Sequence, residues 1–264
     1  LHILGLQTFG ADFELVNGDV LLRAKKLKGN EVFLGGPFGS SVTATANVMM
    51  AATLAEGRTL IASAACEPEV VDLANYLNAC GARITGQGTP EINVEGVESL
   101  HGAEHRIIPD RIEAGTFMMA AAITNGDLEL QGARMEHMRA RVDRLRRVGV
   151  VIERGEKGLA VSSSRRLEPV VITTQPYPGF PTDLQAQAMA LLCLADGNSV
   201  ITEKIYPDRF LHVGELNRMG MTSYIDMGGR SFAPKYFAPV RTLAAQRAPG
   251  AGFQLEHAQR IGLV

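Results

Sequence analysis

The feature of this sequence that most constrains its fold is an internal repeat of about 70 residues. Apolar helical stretches recur along the chain, and each of them ends in a glycine that precedes a strand-like segment. One series of these glycines is Gly10, Gly81, Gly149 and Gly220, spaced by 71, 68 and 71 residues, and a second is Gly57, Gly126 and Gly197, spaced by 69 and 71 residues. A glycine ends a helix at low cost because it adopts the left-handed cap conformation without a Cβ clash. We therefore expect tandem copies of one structural unit, with left-handed glycines at the helix ends.

The clearest copy of the repeat predicts the order β-α-β-α-β-β. A helix is expected from near Ser41 to about Glu56, followed by a strand in RTLIASA. Pro68 suits the first turn of the next helix, whose apolar residues recur at spacings of three and four. Gly81 ends that helix, and two further strands are predicted in ARIT and EINVEG. This alternation is typical of an α/β protein with helices packed against sheets.

Two further copies begin with the same signal for a helix start. In the second copy, Asp110 with Glu113 forms a pattern like a capping box, and the helix is expected to run to about Thr124. In the third copy, Thr182 with Gln185 has the same spacing. Both patterns predict that the first residue of the pair caps its helix through the side chain.

Composition disfavours several classes of protein. The chain has 26 Lys and Arg residues against 28 Asp and Glu residues, and the formal net charge of −2 argues against general binding to nucleic acid or to an anionic membrane. The arginines between residues 139 and 147 leave an apolar stripe intact and predict a solvated helix face. The longest apolar run, residues 188–195, is too short to span a bilayer. Three cysteines without metal or disulfide spacing indicate a reducing cytoplasm, with Cys80 and Cys193 as small buried residues.

The segment FPTDLQAQ contains the strongest candidate for chemistry, Asp183. A carboxylate in the first turn of a helix interacts favourably with free backbone N–H groups and with the helix dipole, so Asp183 can serve only to stabilise that helix end. It can also serve as a general base at the mouth of a cleft, which requires a fixed carboxylate within hydrogen-bond reach of a substrate hydroxyl. The residues alone leave both interpretations open.

Three other polar features carry alternatives. GSSVTATAN predicts either a helix capped by Ser40 or Ser41 or a diphosphate seat made of free helix amides and hydroxyl groups. PDRIEAGTF holds two acids and an arginine in one turn, which fits a salt-bridge network and a ligand site equally well. Arg209 lies either at the surface or against a substrate carboxylate or phosphate that it binds with two hydrogen bonds.

Several of these strings together resemble one family, the enolpyruvyl transferases. They are AATLAEG, ACEPEVVDLANYLNACGA, PDRIEAGTF, FPTDLQAQ and RFLHVGELNRMG, and the resemblance covers roughly residues 1–221. It implies an α/β fold of repeated β-α-β-α-β-β units in inside-out α/β barrels, of which this chain holds an incomplete set. Residues 1–108 would then be part of the first, reactive-loop barrel domain and residues 109–226 part of the second. The pattern is lost after about Asp226, so residues 227–264 are predicted to be a divergent, unassigned tail.

The strings are most similar to the sugar-nucleotide branch of that family. This resemblance implies transfer of an enolpyruvyl group from phosphoenolpyruvate to the 3′-hydroxyl of UDP-N-acetylglucosamine, the first committed step of peptidoglycan precursor synthesis. No metal or organic cofactor is implied. The alternatives are the sister branch of the family, which acts on shikimate 3-phosphate, and a non-catalytic remnant that binds a sugar nucleotide.

The resemblance also implies roles for individual residues. Asp183 matches the aspartate that accepts the proton of the sugar hydroxyl and binds the sugar nucleotide, and Thr43 replaces a glycine of the family's diphosphate loop. With Arg209 added from the residue pattern, the predicted substrate-binding set is Leu1, Ser41, Val42, Asp183, Ile205 and Arg209.

The departures from the family pattern predict a weak catalyst. The resemblance places the family's reactive cysteine loop and its lysine–asparagine pair before Leu1, and residues 227–264 do not resemble the repeats that supply further arginines. Without most of those cations, little electrostatic stabilisation of the transferring group is expected. We therefore expect a fragment that is nearly inactive by itself and whose uncovered apolar surface favours self-association.

Overall fold

The structure is a computed structural model of the chain, and it divides into two compact units. It describes residues 1–163, 166–223, 226–227 and 236–241. From residue 222 onward, only the backbone of these residues is described. Unit 1 comprises residues 1–108 and unit 2 residues 109–264. The assignment of these parts to particular barrel domains stays a prediction.

The described residues form short helices and strands that alternate along the chain. The helices are α1 (His2–Thr8), α2 (Val42–Ala52), α3 (Pro68–Ala79), α4 (Arg111–Thr124), α5 (Arg139–Val148), α6 (Gln185–Leu192) and α7 (His212–Arg218). The strands of unit 1 are β1 (Asp12–Val16), β2 (Asp19–Arg23), β3 (Glu31–Phe33), β4 (Gly35–Gly36), β5 (Gly39–Ser40), β6 (Arg58–Ala62), β7 (Arg83–Thr85) and β8 (Glu91–Glu95). The strands of unit 2 are β9 (Asp127–Gln131), β10 (Val150–Arg154), β11 (Gly158–Ser163), β12 (Val171–Thr173), β13 (Asn198–Glu203), β14 (Thr222–Ser223), β15 (Asp226–Met227) and β16 (Tyr236–Arg241).

The sheets repeat one strand order, which confirms the predicted α/β repeat. In unit 1 the order is β3-β6-β8-β7, with β3 parallel to β6 and the other neighbours antiparallel. In unit 2 the order β12-β13-β16-β14 has the same pairing directions. The sheet β10-β11-β9 matches the last three strands of this order. The first two sheets thus place the strands of their copies in the order first, second, fourth, third, and the three-stranded sheet places its strands in the order second, fourth, third.

Each unit buries its own apolar core between helices and sheet. In unit 1 the strands contribute Ile61, Ile92 and Val94, and α2 contributes Val48 and Met49. In unit 2 the core is larger, and its members with the least exposure include Met118, Met119, Ile152, Leu159, Leu184 and Met189. Buried residues alternate along β8, and on α2 they recur at spacings of three and four, as Ala44, Thr45, Val48, Met49 and Ala52, so the pattern that predicts each element also predicts its buried face.

The glycines that directly follow a helix end have the predicted positive φ, which is +91° at Gly10, +101° at Gly81, +105° at Gly149 and +87° at Gly220. Gly57 and Gly197 also have positive φ values, +88° and +146°, but the prediction that they end helices is wrong, because α2 ends at Ala52 and α6 ends at Leu192. Gly126 differs, because the residue before it, Asn125, has φ +57° and is the left-handed cap of α4. Asparagine tolerates this conformation because its short polar side chain can form local hydrogen bonds. The prediction for Gly126 is therefore wrong by one residue.

Of the two predicted capping pairs, one is confirmed and one is wrong. Asp110 caps α4, since its carboxylate accepts hydrogen bonds from the backbone N–H groups of Ile112 and Glu113. Thr182 does not cap α6, which is preceded by a short 3-10 helix, Thr182–Leu184. Its hydroxyl donates instead to the carboxylate of Glu203, at 2.9 Å.

The predicted solvated face of α5 is wrong at Arg141. This side chain is only 2% exposed, and its guanidinium group donates to the carbonyl oxygens of Arg111 and His137, at 2.5 and 3.2 Å. At the surface of the same helix, Arg144 and Arg147 form ion pairs with Asp143, as a solvated face would. An arginine can lie inside the fold because backbone carbonyl groups satisfy its donors.

Strand β16 lies within the segment that the sequence predicts to be a divergent, unassigned tail. This strand pairs antiparallel with β13, from Arg241 opposite Asn198 to Tyr236 opposite Glu203. Its sequence YFAPVR has no strict alternation, and pairing with a buried neighbour strand supplies the backbone hydrogen bonds that favour the extended form. The rest of the predicted tail, residues 228–235 and 242–264, lies outside the described residues.

Candidate functional site

The first candidate cluster lies in unit 1, where the GGPFG hairpin leads into α2. Strands β4 and β5 form this hairpin, and Ser41 follows it as the N-cap of α2. The Ser41 hydroxyl accepts a hydrogen bond from the backbone N–H of Ala44, at 3.3 Å, and Val42 begins the helix. Ser41 therefore caps the helix, as one of the two interpretations predicted. The first-turn amides of α2 still make this helix start a favourable place for an anion.

His2 joins the start of α1 to the first turns of α2. The Asn47 side-chain amide donates to Nδ1 of His2 at 2.8 Å, which leaves Nε2–H of the ring to donate to the Thr43 hydroxyl at 3.2 Å. Leu1 caps α1, and its carbonyl oxygen accepts from the backbone N–H of Gly5 at 2.9 Å. The structure thus brings Leu1 and His2 next to the helix that Ser41 and Val42 begin. The Thr43 that replaces the family's glycine takes part in this contact.

The second candidate cluster lies in unit 2 and contains Asp183 and Arg209. Asp183 lies in the short 3-10 helix before α6, and its Oδ1 accepts a hydrogen bond from Nη1 of Arg209 at 2.7 Å. The same Nη1 lies 3.2 Å from the hydroxyl of Thr182. The side chains of Asp183 and Arg209 are 53% and 41% exposed, so both groups remain accessible to a ligand. Asp183 is the acidic residue in the first turn of this 3-10 helix, so the helix-end interpretation and the general-base interpretation both remain open.

Glu203 connects the Asp183 turn to the loop that contains Ile205. Glu203 is the last residue of β13 and is fully buried. Its Oε2 accepts from the hydroxyl of Thr182 at 2.9 Å, and its Oε1 accepts from the hydroxyl of Thr174 at 2.7 Å. Oε1 also accepts from the backbone N–H groups of Ile205 and Tyr206, at 2.7 and 2.9 Å. A carboxylate that accepts several short hydrogen bonds is a strong local constraint on backbone position.

The structure therefore groups the predicted site residues into one set in each unit. Leu1, Ser41 and Val42 lie around the start of α2 in unit 1. Asp183, Ile205 and Arg209 lie around the end of β13 in unit 2, joined through Thr182 and Glu203.

Sequence reasoning missed Glu203 and its partner Thr174. The predicted strand SVITE already ended in this glutamate. A charged residue directly after a buried apolar strand is unusual unless a partner satisfies it, and this signal would have marked Glu203.

The PDRIEAGTF segment has a structural role in unit 2. Asp110 caps α4, and the guanidinium group of Arg111 lies over the ring of Tyr177, 5.5 Å from its centroid. Arg111 is itself 8% exposed. These contacts fix the start of α4, and they favour the structural interpretation of this segment over a ligand site.

The cysteines have the environment of inert residues. Cys80 and Cys193 are buried, and burial raises the pKa of the Cys193 thiol to about 12. Partial burial and the neighbouring Glu67 charge also raise the pKa of Cys66. A raised pKa lowers the fraction of thiolate, which is the nucleophilic form. The burial of Cys80 and Cys193 confirms the prediction that these two are small buried residues.

His212 lies close to the unit 2 cluster and is kept neutral by its surroundings. Burial lowers its pKa from the ordinary value of 6.5, and the charge of Arg209 lowers it further. Its ring stacks on that of Phe210, with centroids 6.4 Å apart.

The described residues contain neither a candidate metal site nor a helix that could span a membrane. In the part of the chain that the structure describes, no group of three or more His, Cys, Asp or Glu side chains is placed to hold a metal ion. In the same residues, no helix has the length and apolar character needed to cross a membrane.

Comparison with known proteins gives relatives that share one name. The chain is 52% identical over 231 residues to UDP-N-acetylglucosamine 1-carboxyvinyltransferase 1 of Staphylococcus aureus (strain MRSA252), covering 87% of this chain and 54% of the relative. It is 47% identical over 255 residues to UDP-N-acetylglucosamine 1-carboxyvinyltransferase of Halothermothrix orenii, covering 97% of this chain and 61% of the relative. The chain thus spans little more than half the length of these relatives.

Solved structures with the same fold are enolpyruvyl transferases. The structure of the enolpyruvyl transferase NikO from Streptomyces tendae superposes with a TM-score of 0.80 at 24% identity, covering 94% of this chain and 60% of that one. EPSP synthase from Acinetobacter baumannii superposes with a TM-score of 0.62 at 20% identity, covering 92% and 56%. The family model for EPSP synthase (3-phosphoshikimate 1-carboxyvinyltransferase) matches residues 1–248. This chain, with its repeated α/β units and the Asp183 cluster at the end of β13, therefore belongs to the EPSP synthase family of enolpyruvyl transferases.

Proposed function

We propose that this chain supplies the sugar-nucleotide-binding and proton-accepting residues for enolpyruvyl transfer from phosphoenolpyruvate to the 3′-hydroxyl of UDP-N-acetylglucosamine. The relatives at about 50% identity carry the name of this activity, whereas the family model is named for the shikimate branch. The proposal extends to a place in cytoplasmic peptidoglycan precursor synthesis. The observation that carries it is the half-exposed Asp183 carboxylate, fixed by Arg209 at 2.7 Å.

The proposed reaction is an addition followed by an elimination. The sugar oxygen forms a bond to C2 of phosphoenolpyruvate, its proton goes to a base, and C3 of phosphoenolpyruvate gains a proton. In the elimination, C3 loses a proton, the C2–O bond to the phosphate breaks, and phosphate leaves. No oxidant or reductant is needed, because the electron pairs balance within the two reactants.

Asp183 is suited to accept the proton of the sugar hydroxyl. Oδ1 is engaged by Arg209, and within residues 1–163 and 166–223 the structure records no hydrogen bond to Oδ2. Oδ2 is therefore the oxygen that can receive a substrate hydroxyl without breaking the ion pair. A general base must lie within hydrogen-bond reach of the proton that it abstracts, and an anchored, accessible carboxylate meets that requirement.

The start of α2 is suited to the diphosphate of the sugar nucleotide. The helix has 11 residues, so its first-turn amides and its dipole favour a negative charge there. Ser41, Thr43 and His2 add hydroxyl and imidazole groups at the same place. The cluster contains no carboxylate, which suits the binding of a diphosphate.

The test is a calorimetric titration of the 264-residue chain with UDP-N-acetylglucosamine and, in parallel, with shikimate 3-phosphate. Saturable heat with the sugar nucleotide alone supports the proposal, and saturable heat with shikimate 3-phosphate alone assigns the chain to the sister branch. No heat with either ligand contradicts a binding role.

A second measurement addresses catalysis by the chain alone. Phosphate release from phosphoenolpyruvate and UDP-N-acetylglucosamine is expected to stay near background. Release at an ordinary enzymatic rate would contradict the expectation that this chain is nearly inactive by itself.

Self-association of the chain also stays a prediction. Sedimentation equilibrium tests it, since a monodisperse monomer would count against it. The apolar side chains of the β1–β2 hairpin, with Leu15 at 65% and Val20 at 50% exposure, are the surface that motivates it.

A further inference from the structure

We propose that Glu203 is a positioning residue, which holds the turn of Asp183 and the loop of Ile205 in the geometry that binds the sugar nucleotide. The inference rests on the function proposed above for Asp183. Glu203 is fully buried and is not one of the residues that the sequence or the resemblance assigned to the site. Its role follows from the contacts of its two carboxylate oxygens.

The two oxygens of Glu203 bind two different segments. Oε2 accepts from the hydroxyl of Thr182, which directly precedes Asp183. Oε1 accepts from the backbone N–H groups of Ile205 and Tyr206. One rigid carboxylate therefore sets the distance between the turn and the loop, and neither segment can move far without losing a hydrogen bond to a charged acceptor.

Thr174 extends the same network to the neighbouring strand. Its hydroxyl donates to Oε1 of Glu203 at 2.7 Å and accepts from the backbone N–H of Lys204 at 2.8 Å. Its own backbone N–H donates to the carbonyl oxygen of Thr202. The loop after β13 is thus held from both the strand end and the segment after β12.

Unit 1 uses a different acceptor for the loop amide that Glu203 binds in unit 2. In the shared strand order, Ser41, Thr45, Ser63 and Ala65 correspond to Pro181, Gln185, Glu203 and Ile205. In unit 1 the hydroxyl of Thr45, on the helix, accepts from the backbone N–H of Ala65 at 3.0 Å. In unit 2 the corresponding amide, of Ile205, donates to Glu203 instead.

Gln185 holds the helix position that Thr45 holds in unit 1, but it does not accept from the loop amide. Gln185 is fully buried, and among the described residues neither its Oε1 nor its Nε2 has a hydrogen-bond partner. The acceptor for the loop amide has therefore moved from the helix to the strand end. In unit 1 the Thr45 hydroxyl also donates to the carbonyl oxygen of Ser41 at 2.8 Å, so it connects the loop to the helix start, and in unit 2 the Glu203 carboxylate makes the corresponding connection from the strand end.

A purely structural role for Glu203 makes a different prediction from a positioning role. If the carboxylate only stabilises the fold, its loss lowers the free energy of unfolding and changes ligand affinity no more than any equally destabilising change does. If it positions the site, its loss releases the Ile205 and Tyr206 amides and weakens ligand binding in the chain that remains folded. Asn78→Ala in unit 1 is the matched control, because it removes two hydrogen bonds that Asn78 makes with the backbone of Ile84.

The experiment combines amide hydrogen exchange with ligand titration of the full chain. The variants are Glu203→Ala, Glu203→Gln and the control. In Glu203→Ala we expect the exchange rates of the Ile205 and Tyr206 amides to rise by about tenfold or more relative to the Val200 amide of the same strand. Glu203→Gln keeps an oxygen for these amides and an amide group beside Thr182, so it should stay within about threefold of the unchanged chain.

The titration arm uses UDP-N-acetylglucosamine as the probe. Affinity is expected to fall by about tenfold in Glu203→Ala, to recover largely in Glu203→Gln and to be unchanged in Asn78→Ala. Equal exchange at all amides of β13 and its loop, or unchanged affinity in Glu203→Ala, would overturn the positioning role. If the unchanged chain gives no heat, the proposed function fails, and the exchange arm alone then decides whether Glu203 holds the loop. If Glu203→Ala does not fold, Thr182→Val is measured in its place, because it removes the hydrogen bond to Oε2 of Glu203, and unchanged exchange and affinity in this variant would overturn the proposal.

Discussion

The first and third copies of the repeat share a strand order but differ in the chemistry at the helix start and in the loop after the second strand. In the copy of unit 1, neutral groups meet there, since Ser41 caps α2 and Thr45 accepts from the Ala65 amide. In the last copy of unit 2, charged groups meet, with the Asp183–Arg209 pair and buried Glu203. The scaffold therefore fixes where these positions lie, and the side chains there decide what each can bind.

This difference suggests a division of labour between the two clusters. A neutral helix start with hydroxyl groups favours a diphosphate without carrying a competing carboxylate. A carboxylate held by an arginine on one oxygen, with the other oxygen accessible, favours proton acceptance from a hydroxyl. The charged cluster needs a buried anchor in addition, because two exposed, charged side chains alone form a weak and adaptable pair.

The largest effect is expected from truncating a core residue next to each cluster. Leu184 and Leu34 are both fully buried, so Leu184→Ala and Leu34→Ala should each lower the free energy of unfolding by about 2–5 kcal/mol. Leu184 directly follows Asp183, and Leu34 directly precedes the hairpin that leads into α2, so both variants should also weaken the binding of UDP-N-acetylglucosamine in the folded chain. Denaturant unfolding measures the loss of stability and calorimetry the loss of affinity, and unchanged affinity in either variant would contradict the role proposed for the cluster beside it.

A smaller effect is expected at Gly57 and Gly126, which follow the first helix of their copies and are 69 residues apart. Gly57 has φ +88°, so Gly57→Ala should cost about 1–2 kcal/mol through backbone strain alone. Gly126 is not left-handed, and a Cβ there meets the hydroxyl of Thr124 at 3.3 Å, the end of a side chain that can turn away. Gly126→Ala should therefore cost less than about 0.5 kcal/mol. Thermal unfolding of both variants measures the difference, and equal costs would contradict the Asn125 cap.

These cases show which parts of the fold follow from the sequence. Pro68, Gly81 and Asp110 act through their own backbone or side chain, so a local pattern predicts them correctly. Thr182 and strand β16 depend on neighbours far away in sequence, Glu203 and β13, which a local pattern does not contain. The same holds within the site.

Within the site, the sequence singled out exposed residues and missed the buried one that connects them. Asp183 and Arg209 carry chemical groups that suggest a role by themselves. Glu203 at the end of a strand suggests one only after its four hydrogen bonds are seen. Arg141 was assigned to the surface for a similar reason, because the carbonyl groups that satisfy it lie elsewhere in the chain.

The smallest effect concerns the pH dependence that His212 gives to the cluster of unit 2. Burial, and then the Arg209 charge, lower the pKa of His212 below its ordinary value of 6.5. The unfolded chain therefore binds this proton more tightly, so the contribution of His212 to stability is complete above pH 6.5 and is lost as the pH falls through the lowered pKa. His212→Asn should lose less stability than the unchanged chain between pH 7 and pH 5. Denaturant unfolding at both pH values tests this, and parallel losses in the two proteins would refute it.

The most direct test of the account is the calorimetric titration of UDP-N-acetylglucosamine into three forms of the chain: unchanged, Asp183→Asn and Asp196→Asn. Asp196 is an exposed aspartate of the same unit and serves as the matched control. The account predicts saturable binding by the unchanged chain, retained in Asp196→Asn and weakened by about tenfold or more in Asp183→Asn, because a charged hydrogen-bond acceptor is lost. Equal affinity of all three forms, or no heat from the unchanged chain, would contradict the claim that Asp183 lies in a sugar-nucleotide site.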